Sequence, residues 1–385
     1  METDQPAKTD YSKQHLKTLV AKNKCVASFS RPSQIGQFLI VASVVFACNL
    51  PITECVAQER TTLLPKHITP DTQLAIERGL NYLVASQSDN GSWESQPDGA
   101  SYPCAMSALS GLAMLSSGNT TSRGPYALQI RRTVDFLLNR SSENGLIADQ
   151  REKGHSMYGH GFSLLFLSTA FGMETNQKTR EEIATVLRNG IVLTSRAQSK
   201  LGGWIYTPTS ESDEGSVTVT QMQGLRAAHN AGFLVPKATI QNAKQYLEMC
   251  KTPEGGICYS HATQGGPRLP ISAAAICCLY STGEYTSPLA ESCLNYVHQQ
   301  FKRMKLEDAR LSGHEFYFHL YASQAFYQAG DRFWDEYYPT TRDYLLAQQL
   351  DDGSWQGDKI GTTYGTAISL IILQLPYKFL PIYQR

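Results

Sequence analysis

An all-α toroid, an α6/α6 barrel built from six helical hairpin repeats, is the fold class this chain predicts, and three observations predict it. The first is a repeated string: Gln87-Ser88-Asp89-Asn90-Gly91-Ser92-Trp93 near the start of the globular region and Gln349-Leu350-Asp351-Asp352-Gly353-Ser354-Trp355 near its end, each closing an amphipathic helical pattern. The second is an alternation, at a spacing of about 50 residues, of helices with a wet face and helices that carry almost no charge. The third follows from the uncharged helices themselves, which must be buried on all sides. An inner ring wrapped by an outer one satisfies that demand, and closing the ring makes the first and last repeats neighbours. An open superhelical solenoid would need a polar capping helix, and the apolar last stretch, Tyr364–Leu375, is a poor cap.

The first 57 residues are set apart by composition. Lys8, Lys13, Lys17, Lys22, Lys24 and Arg31 precede the apolar run Phe38–Leu50, and Cys55-Val56-Ala57 places small residues where a signal peptidase reads. The run is about 13 residues, short of the roughly 20 that span a bilayer. Residues 1–57 are therefore expected to be a signal peptide cleaved near Ala57, which exports the protein to a periplasm or the medium. An uncleaved anchor, or a lipoprotein made at Val45-Phe46-Ala47-Cys48, is the rival reading. Residues 58–70 read as a linker and 71–385 as the barrel.

The pairs follow in order. Thr72–Ser86 is amphipathic, with Leu74, Ile76, Leu80, Leu83 and Val84 among charges, and Ser101–Leu115 has no charge at all. Ala127–Asn139 leads through Asn144-Gly145-Leu146 to the uncharged Gly159–Phe171. Thr179–Gln198 leads through Gly202-Gly203-Trp204 to Ser216–Ala231, and Lys237–Met249 through Gly255-Gly256-Ile257 to Ile271–Tyr280. Pro288–Phe301, which has no Gly turn, pairs with Glu315–Ala329, and Trp334–Gln349 with Tyr364–Leu375. In the turns, Gly353 supplies the positive φ that ends a helix and Asp352 and Ser354 cap backbone donors. Trp355 brings a flat ring with one N–H, and the Gln amide offers a stacking plane. These turns are expected to rivet helices together.

Composition excludes some functions. The chain of 385 residues has zero formal net charge and 18% charged residues, below the roughly 25% of average domains, so neither nucleic acid nor an anionic membrane is expected as the main partner. Six cysteines lie beyond the leader, Cys104, Cys250, Cys258, Cys277, Cys278 and Cys293; a core this large does not need disulfides, and buried free thiols are expected.

The helix followed by Gln-x-x-x-Gly-Ser-Trp, taken round a ring, resembles the QW motif, or prenyltransferase repeat, of the squalene-hopene cyclase and prenyltransferase superfamily. The resemblance is clear at Gln87–Trp93 and Gln349–Trp355, partial at Gly203-Trp204 and Gly255-Gly256, degenerate at Asn144-Gly145, and covers about residues 70–385. It implies a single terpenoid cyclase/prenyltransferase alpha-alpha toroid with a central apolar cavity for an isoprenoid-type ligand. It implies cyclase or mutase chemistry, of the isomerase or lyase kind, only where an Asp-x-Asp-Asp motif precedes an inner helix, and no such motif occurs here. Its nearest counterpart by location is Ser212-Asp213-Glu214-Gly215-Ser216-Val217-Thr218. The zinc-dependent branch of the superfamily needs an Asp-x-Cys pair, which is also missing, so no metal and no cofactor is expected.

The N-terminal openings of the uncharged helices should share one mouth. The acids there, Asp213 and Glu214, are the catalytic candidates, since burial raises a carboxyl towards a proton donor while a helix N-terminus holds it ionised; the structural alternative is N-capping. Ligand-binding candidates are Tyr102, His155, Tyr158, His160, Ser216, Thr218, Arg268, His314, Tyr317, His319 and Tyr364. His155/His160 and His314/His319 share a spacing of five, about 140° of helix rotation, so neither pair chelates one metal from a single face. Three readings result: a terpene cyclase-like enzyme, a non-catalytic module binding an apolar small molecule or a protein, and a carbohydrate-active enzyme with paired carboxylates. The missing motif puts binding at least level with catalysis. Contact with a membrane is left open by the anchor reading.

Overall fold

The structure is a computed structural model that describes residues 64–95, 101–152, 154–209, 211–304 and 314–381. The expected leader and residues 58–63 of the expected linker lie outside the described residues. Twelve α-helices are seen among those described: α1 (Pro70–Ser86), α2 (Pro103–Leu115), α3 (Ala127–Leu138), α4 (Ser156–Met173), α5 (Gln177–Arg196), α6 (Gly215–Asn230), α7 (Lys237–Met249), α8 (Leu269–Ser281), α9 (Pro288–Arg303), α10 (Glu315–Ala329), α11 (Asp331–Gln348) and α12 (Thr362–Gln374). Starts shift from the expected ones where a cap decides them. α1 begins at Pro70 because proline suits the first helical position and Thr69 and Thr72 form a reciprocal capping box.

The even-numbered helices form the inner ring. α2 packs on α4, α4 on α6, α6 on α8, α8 on α10, α10 on α12, and α12 back on α2, so the ring closes. The odd-numbered helices lie outside, and α1 packs on both α11 and α12 across the closure. The fold is the α6/α6 toroid that the alternation predicts. All thirteen residues of α2 are buried, whereas α3 buries only Ile130, Thr133, Val134, Phe136 and Leu137. α4 and α6 approach closely at Gly161 and Gly224, where a Cβ on Gly224 would stand 2.8 Å from the Gly161 carbonyl oxygen.

The Trp turns join the rings through one recurring set of bonds. In the third turn the Trp204 indole Nε1–H donates to the Thr194 carbonyl at 2.7 Å and its backbone N–H to Thr218 Oγ1 at 2.9 Å. In the first, Trp93 donates to the Leu83 carbonyl (2.8 Å) and Ser107 Oγ (3.0 Å); in the last, Trp355 donates to the Leu345 carbonyl (2.7 Å) and Thr366 Oγ1 (3.0 Å). The glutamine amides act as hydrogen-bond donors. Each Nε2 donates both to the carbonyl of its own turn's glycine and to the next outer helix: Gln87 to Gly91 and Gln129, Gln198 to Gly202 and Thr239, Gln349 to Gly353 and Ala75. Gly202, at φ +103°, lies so close to that helix that a Cβ would be 2.1 Å from the Asn242 carbonyl oxygen. The turns thus stitch an outer helix, its inner partner and the next outer helix together.

Candidate functional site

Every turn delivers its chain to the N-terminal end of an inner helix, and those six ends frame one mouth. Aromatic side chains crowd the sector between α2 and α6. Tyr102 lies edge-on to His155 with ring centroids 6.2 Å apart, His155 lies 4.7 Å from Tyr206, and Tyr206 lies 5.9 Å from Tyr158. The Tyr206 and Tyr259 hydroxyls are hydrogen-bonded to each other. On the far side of α6, Tyr317 of α10 donates its hydroxyl to the Ser216 carbonyl at 3.0 Å.

Glu214 anchors this group. It is the N-cap of α6, accepting the N–H of Val217 at 2.5 Å and both the N–H and the hydroxyl of Ser216 at 2.7 Å. Because the Ser216 hydroxyl is spent on Glu214, the Tyr158 hydroxyl, 2.5 Å from Ser216 Oγ, is the donor of that pair. A chain of hydroxyls therefore runs from Tyr158 through Ser216 to a buried carboxyl. Burial raises the Glu214 pKa, the three donors oppose the rise, and nearby Asp213 adds to it. Burial and the Glu214 charge raise the phenols of Tyr158, Tyr206 and Tyr259 as well, so the phenols stay protonated. Asp213, also buried, accepts the Ser199 hydroxyl at 2.7 Å and ties the third turn to the start of α6.

Two further acids stand at the mouth that the sequence reading did not single out, Glu152 fully buried and Asp358 half-buried. Glu152 accepts the N–H of Cys104 at 2.8 Å and caps α2 from the following turn. Asp358 accepts the N–H groups of Glu315 (3.0 Å) and Phe316 (3.2 Å) and caps α10 in the same way. Burial raises both carboxyls. Tyr206 and Tyr259 were missed too; each stands two residues beyond the Trp position of its turn, at Trp204 and Ile257, and an alignment of the turns carried past that position finds them.

The remaining candidates separate into mouth and wall. Arg268 and His314 are exposed at the starts of α8 and α10, and Arg268 has no carboxylate partner among the described residues. Tyr364 is buried in the first turn of α12. His160, Thr218 and His319 face the layer between the rings. Nδ1 of His160 accepts the Ile147 N–H at 3.2 Å, so its Nε2 carries the hydrogen and donates to Thr194 Oγ1 at 2.9 Å. It does for the second turn what Thr218 does for the third. His319 Nδ1 is 2.8 Å from the Tyr337 hydroxyl of α11. Burial depresses both imidazoles, to about 4 for His160 and about 3 for His319, so both are neutral at physiological pH.

Deeper in, Gln223 Nε2 donates to Gln324 Oε1 at 2.8 Å, linking α6 to α10 past the intervening α8. One side-chain bond therefore crosses part of the ring at this level. A groove of about 660 Å³, lined by Phe171, Arg188, Ile191, Val192, Phe233 and Leu234, lies on the outer wall beside α5. Among the described residues no helix is long and apolar enough to cross a membrane.

Comparison by structure places this architecture among known enzymes. The type II terpene cyclase MstE from Scytonema, solved with its product merosterolic acid A, superposes with a TM-score of 0.55 at 14% identity, covering 80% of this chain and 98% of that one. The fold is a terpene-cyclase-like toroid. The same ring is shared by the α-1,6-mannanase of Salegentibacter (TM-score 0.58, 10% identity, 81% and 100% covered) and the cellobiose 2-epimerase of Bacillus thermoamylovorans (0.57, 11%, 80% and 98%). No protein-family model and no curated protein matches the chain by sequence.

Proposed function

We propose that this toroid is an exported binding module whose mouth receives an apolar, isoprenoid-like molecule and that it does not cyclise its ligand. The observation that carries the reading is the commitment of the mouth acids. Glu214, Glu152 and Asp358 each cap an inner helix and Asp213 holds a turn. Burial raises the carboxyls of Glu214, Glu152 and Asp358, but their oxygens are engaged by protein N–H and O–H donors at the helix ends, so they are poorly placed to hand a proton to an alkene. What the mouth does offer is aromatic surface: the faces of Tyr102, His155, Tyr206 and Tyr158, with the Arg268 guanidinium beside Tyr259 for a polar head. The structural likeness to MstE, whose substrate is geranylgeranyl dihydroxybenzoate, supports an isoprenoid chain as the apolar part.

Geranylgeraniol titrated against the purified protein, followed by tyrosine and tryptophan fluorescence and by native mass spectrometry, is expected to form a one-to-one complex. Tyr206→Ala should weaken it by about tenfold, as expected for losing roughly 1.4 kcal/mol of aromatic contact, and no product should appear. A cyclised product abolished by Glu214→Gln would replace this reading with the cyclase one. The consecutive acids Asp213 and Glu214 favour a second reading, because the mannanase is an inactive variant through substitution of two consecutive aspartates. Binding of mannotriose but not geranylgeraniol would establish that one. Export predicts a mature N-terminus just after Ala57, readable from the intact mass of protein recovered outside the cytoplasm.

A further inference from the structure

The fourth turn, like the second with Ser141 and Ile147, is built differently from the first, third and sixth. Counting back six residues from the Trp position, the first, third and sixth turns carry Gln87, Gln198 and Gln349, whereas the fourth carries Lys251, and its Trp position is Ile257. It therefore lacks both the indole bond to the outer helix and the glutamine bond to the next one. Its ties to its neighbours are the Ile257 N–H donating to Ser272 Oγ at 2.9 Å, the Arg268 N–H donating to the Ile257 carbonyl at 2.8 Å and the Ser292 hydroxyl donating to the Gly255 carbonyl at 3.1 Å.

On either side of this weakened turn stands a cysteine. Lys251 and Ile257 form an antiparallel bridge, which sets Cys250 and Cys258 directly opposite each other. Their backbones are joined, the Cys258 N–H donating to the Cys250 carbonyl at 2.9 Å. Residues opposite each other across an antiparallel bridge have Cα atoms about 4.5–5.5 Å apart, within the range that disulfides span. Both thiols are buried and free in this structure, the Cys258 Sγ–H donating to the Ser260 carbonyl at 3.4 Å. The corresponding positions of the other Trp turns, Ser86/Glu94, Ala197/Ile205 and Gln348/Gln356, cannot be cross-linked.

We propose that Cys250 and Cys258 form an intramolecular disulfide when the chain folds in an oxidising medium, stapling the turn that has lost its Trp and Gln. The oxidant is a low-molecular-weight disulfide. One cysteine thiolate attacks it to give a mixed disulfide and one small thiolate. The second cysteine, deprotonated, then attacks the mixed disulfide and releases the other small thiolate. The cysteine pair loses two electrons and two protons, and the oxidant is reduced to two thiols. Burial pushes the Cys250 thiol up to about 12 in the folded protein, so the thiolate is scarce there and the bond forms while the turn is still open.

The test is refolding from urea in a buffer of oxidised and reduced glutathione, followed by alkylation, tryptic digestion without reduction, and mass spectrometry. Cleavage after Lys251 separates the two cysteines, so the staple appears as peptides 245–251 and 252–268 joined, two hydrogens lighter than their sum. Cys104, Cys277, Cys278 and Cys293 should be alkylated. The oxidised protein should melt a few degrees above the reduced one, and Cys258→Ser should abolish that rise. Full alkylation of Cys250 and Cys258 after refolding, their linkage to other cysteines, or an unchanged rise in Cys258→Ser would each overturn the proposal.

Discussion

Replacing Thr366 by valine tests whether the Trp turns hold the rings together through hydrogen bonds or through the bulk of the indole. Thr366 lies in α12, wholly buried, and its Oγ1 accepts the Trp355 backbone N–H at 3.0 Å. Valine fills nearly the same volume, so no cavity forms and the indole keeps its place and its bond to the Leu345 carbonyl at 2.7 Å. The only loss is an acceptor, which leaves a buried N–H without a partner at about 1–3 kcal/mol. Thr366→Ser makes the opposite exchange, keeping the oxygen and giving up one methyl, worth about 1 kcal/mol. Urea unfolding followed by circular dichroism should rank wild type above serine and serine above valine, with the denaturant slope unchanged. Thr218→Val should behave alike, because Thr218 serves Trp204 in the same way. A valine variant as stable as wild type, or more stable than serine, would refute the hydrogen-bond account and leave indole packing as the rivet.

Three other outcomes are expected. His160 and His319 titrate near 4 and near 3 when folded, against 6.5 when unfolded. The unfolded chain therefore takes up their protons first as pH falls, and stability should decline below about 6.5 by up to roughly 1.4 kcal/mol per pH unit for each histidine. Urea midpoints near pH 7 and near pH 5 will show it, and His319→Gln should flatten the decline. Glu152 shifts the other way: its folded pKa is raised, so its contribution is present at low pH and lost as pH rises through that value. The stability of Glu152→Gln relative to wild type should consequently improve from acid to neutral pH, as read from the same midpoints. Gly202 and Gly232 both have positive φ, but a Cβ meets the Asn242 carbonyl oxygen at 2.1 Å at the first and nothing within 4 Å at the second. Gly232→Ala should cost about 1 kcal/mol and Gly202→Ala clearly more; equal thermal shifts would contradict the close approach.

The architecture was legible because burial in a double ring writes itself into charge. α2, α8 and α12 contain no charged residue, and a helix of that kind has nowhere to go but between two layers. The closure was legible as well, since α1 and α12 meet where Trp355 packs against Gly79. Polar partnerships were less so. The imidazole of His160 looked like a mouth residue, but aligning the turns by their bonds puts it with Ser107, Thr218, Ser272 and Thr366, the acceptors for turns one, three, four and six. Those residues differ in chemistry and share only an acceptor atom, so no single-letter pattern marks them.

The caps explain why the mouth acids were the hardest part to read. α2 is capped by Glu152, α4 through the Met157 N–H by the Tyr206 carbonyl, α6 through the Gly215 N–H by the Tyr259 carbonyl, and α10 by Asp358. In each case the capping group comes from the turn of the next repeat. At these four helices the following repeat finishes its predecessor, so caps pass from one hairpin to the next. Carboxyls take part in capping at α2, α6 and α10, which accounts for three of the acids at the mouth. The first and last repeats depend on each other by packing: α12 lies against α2 and Trp355 packs against Gly79 of α1, so each end of the ring is covered by the other.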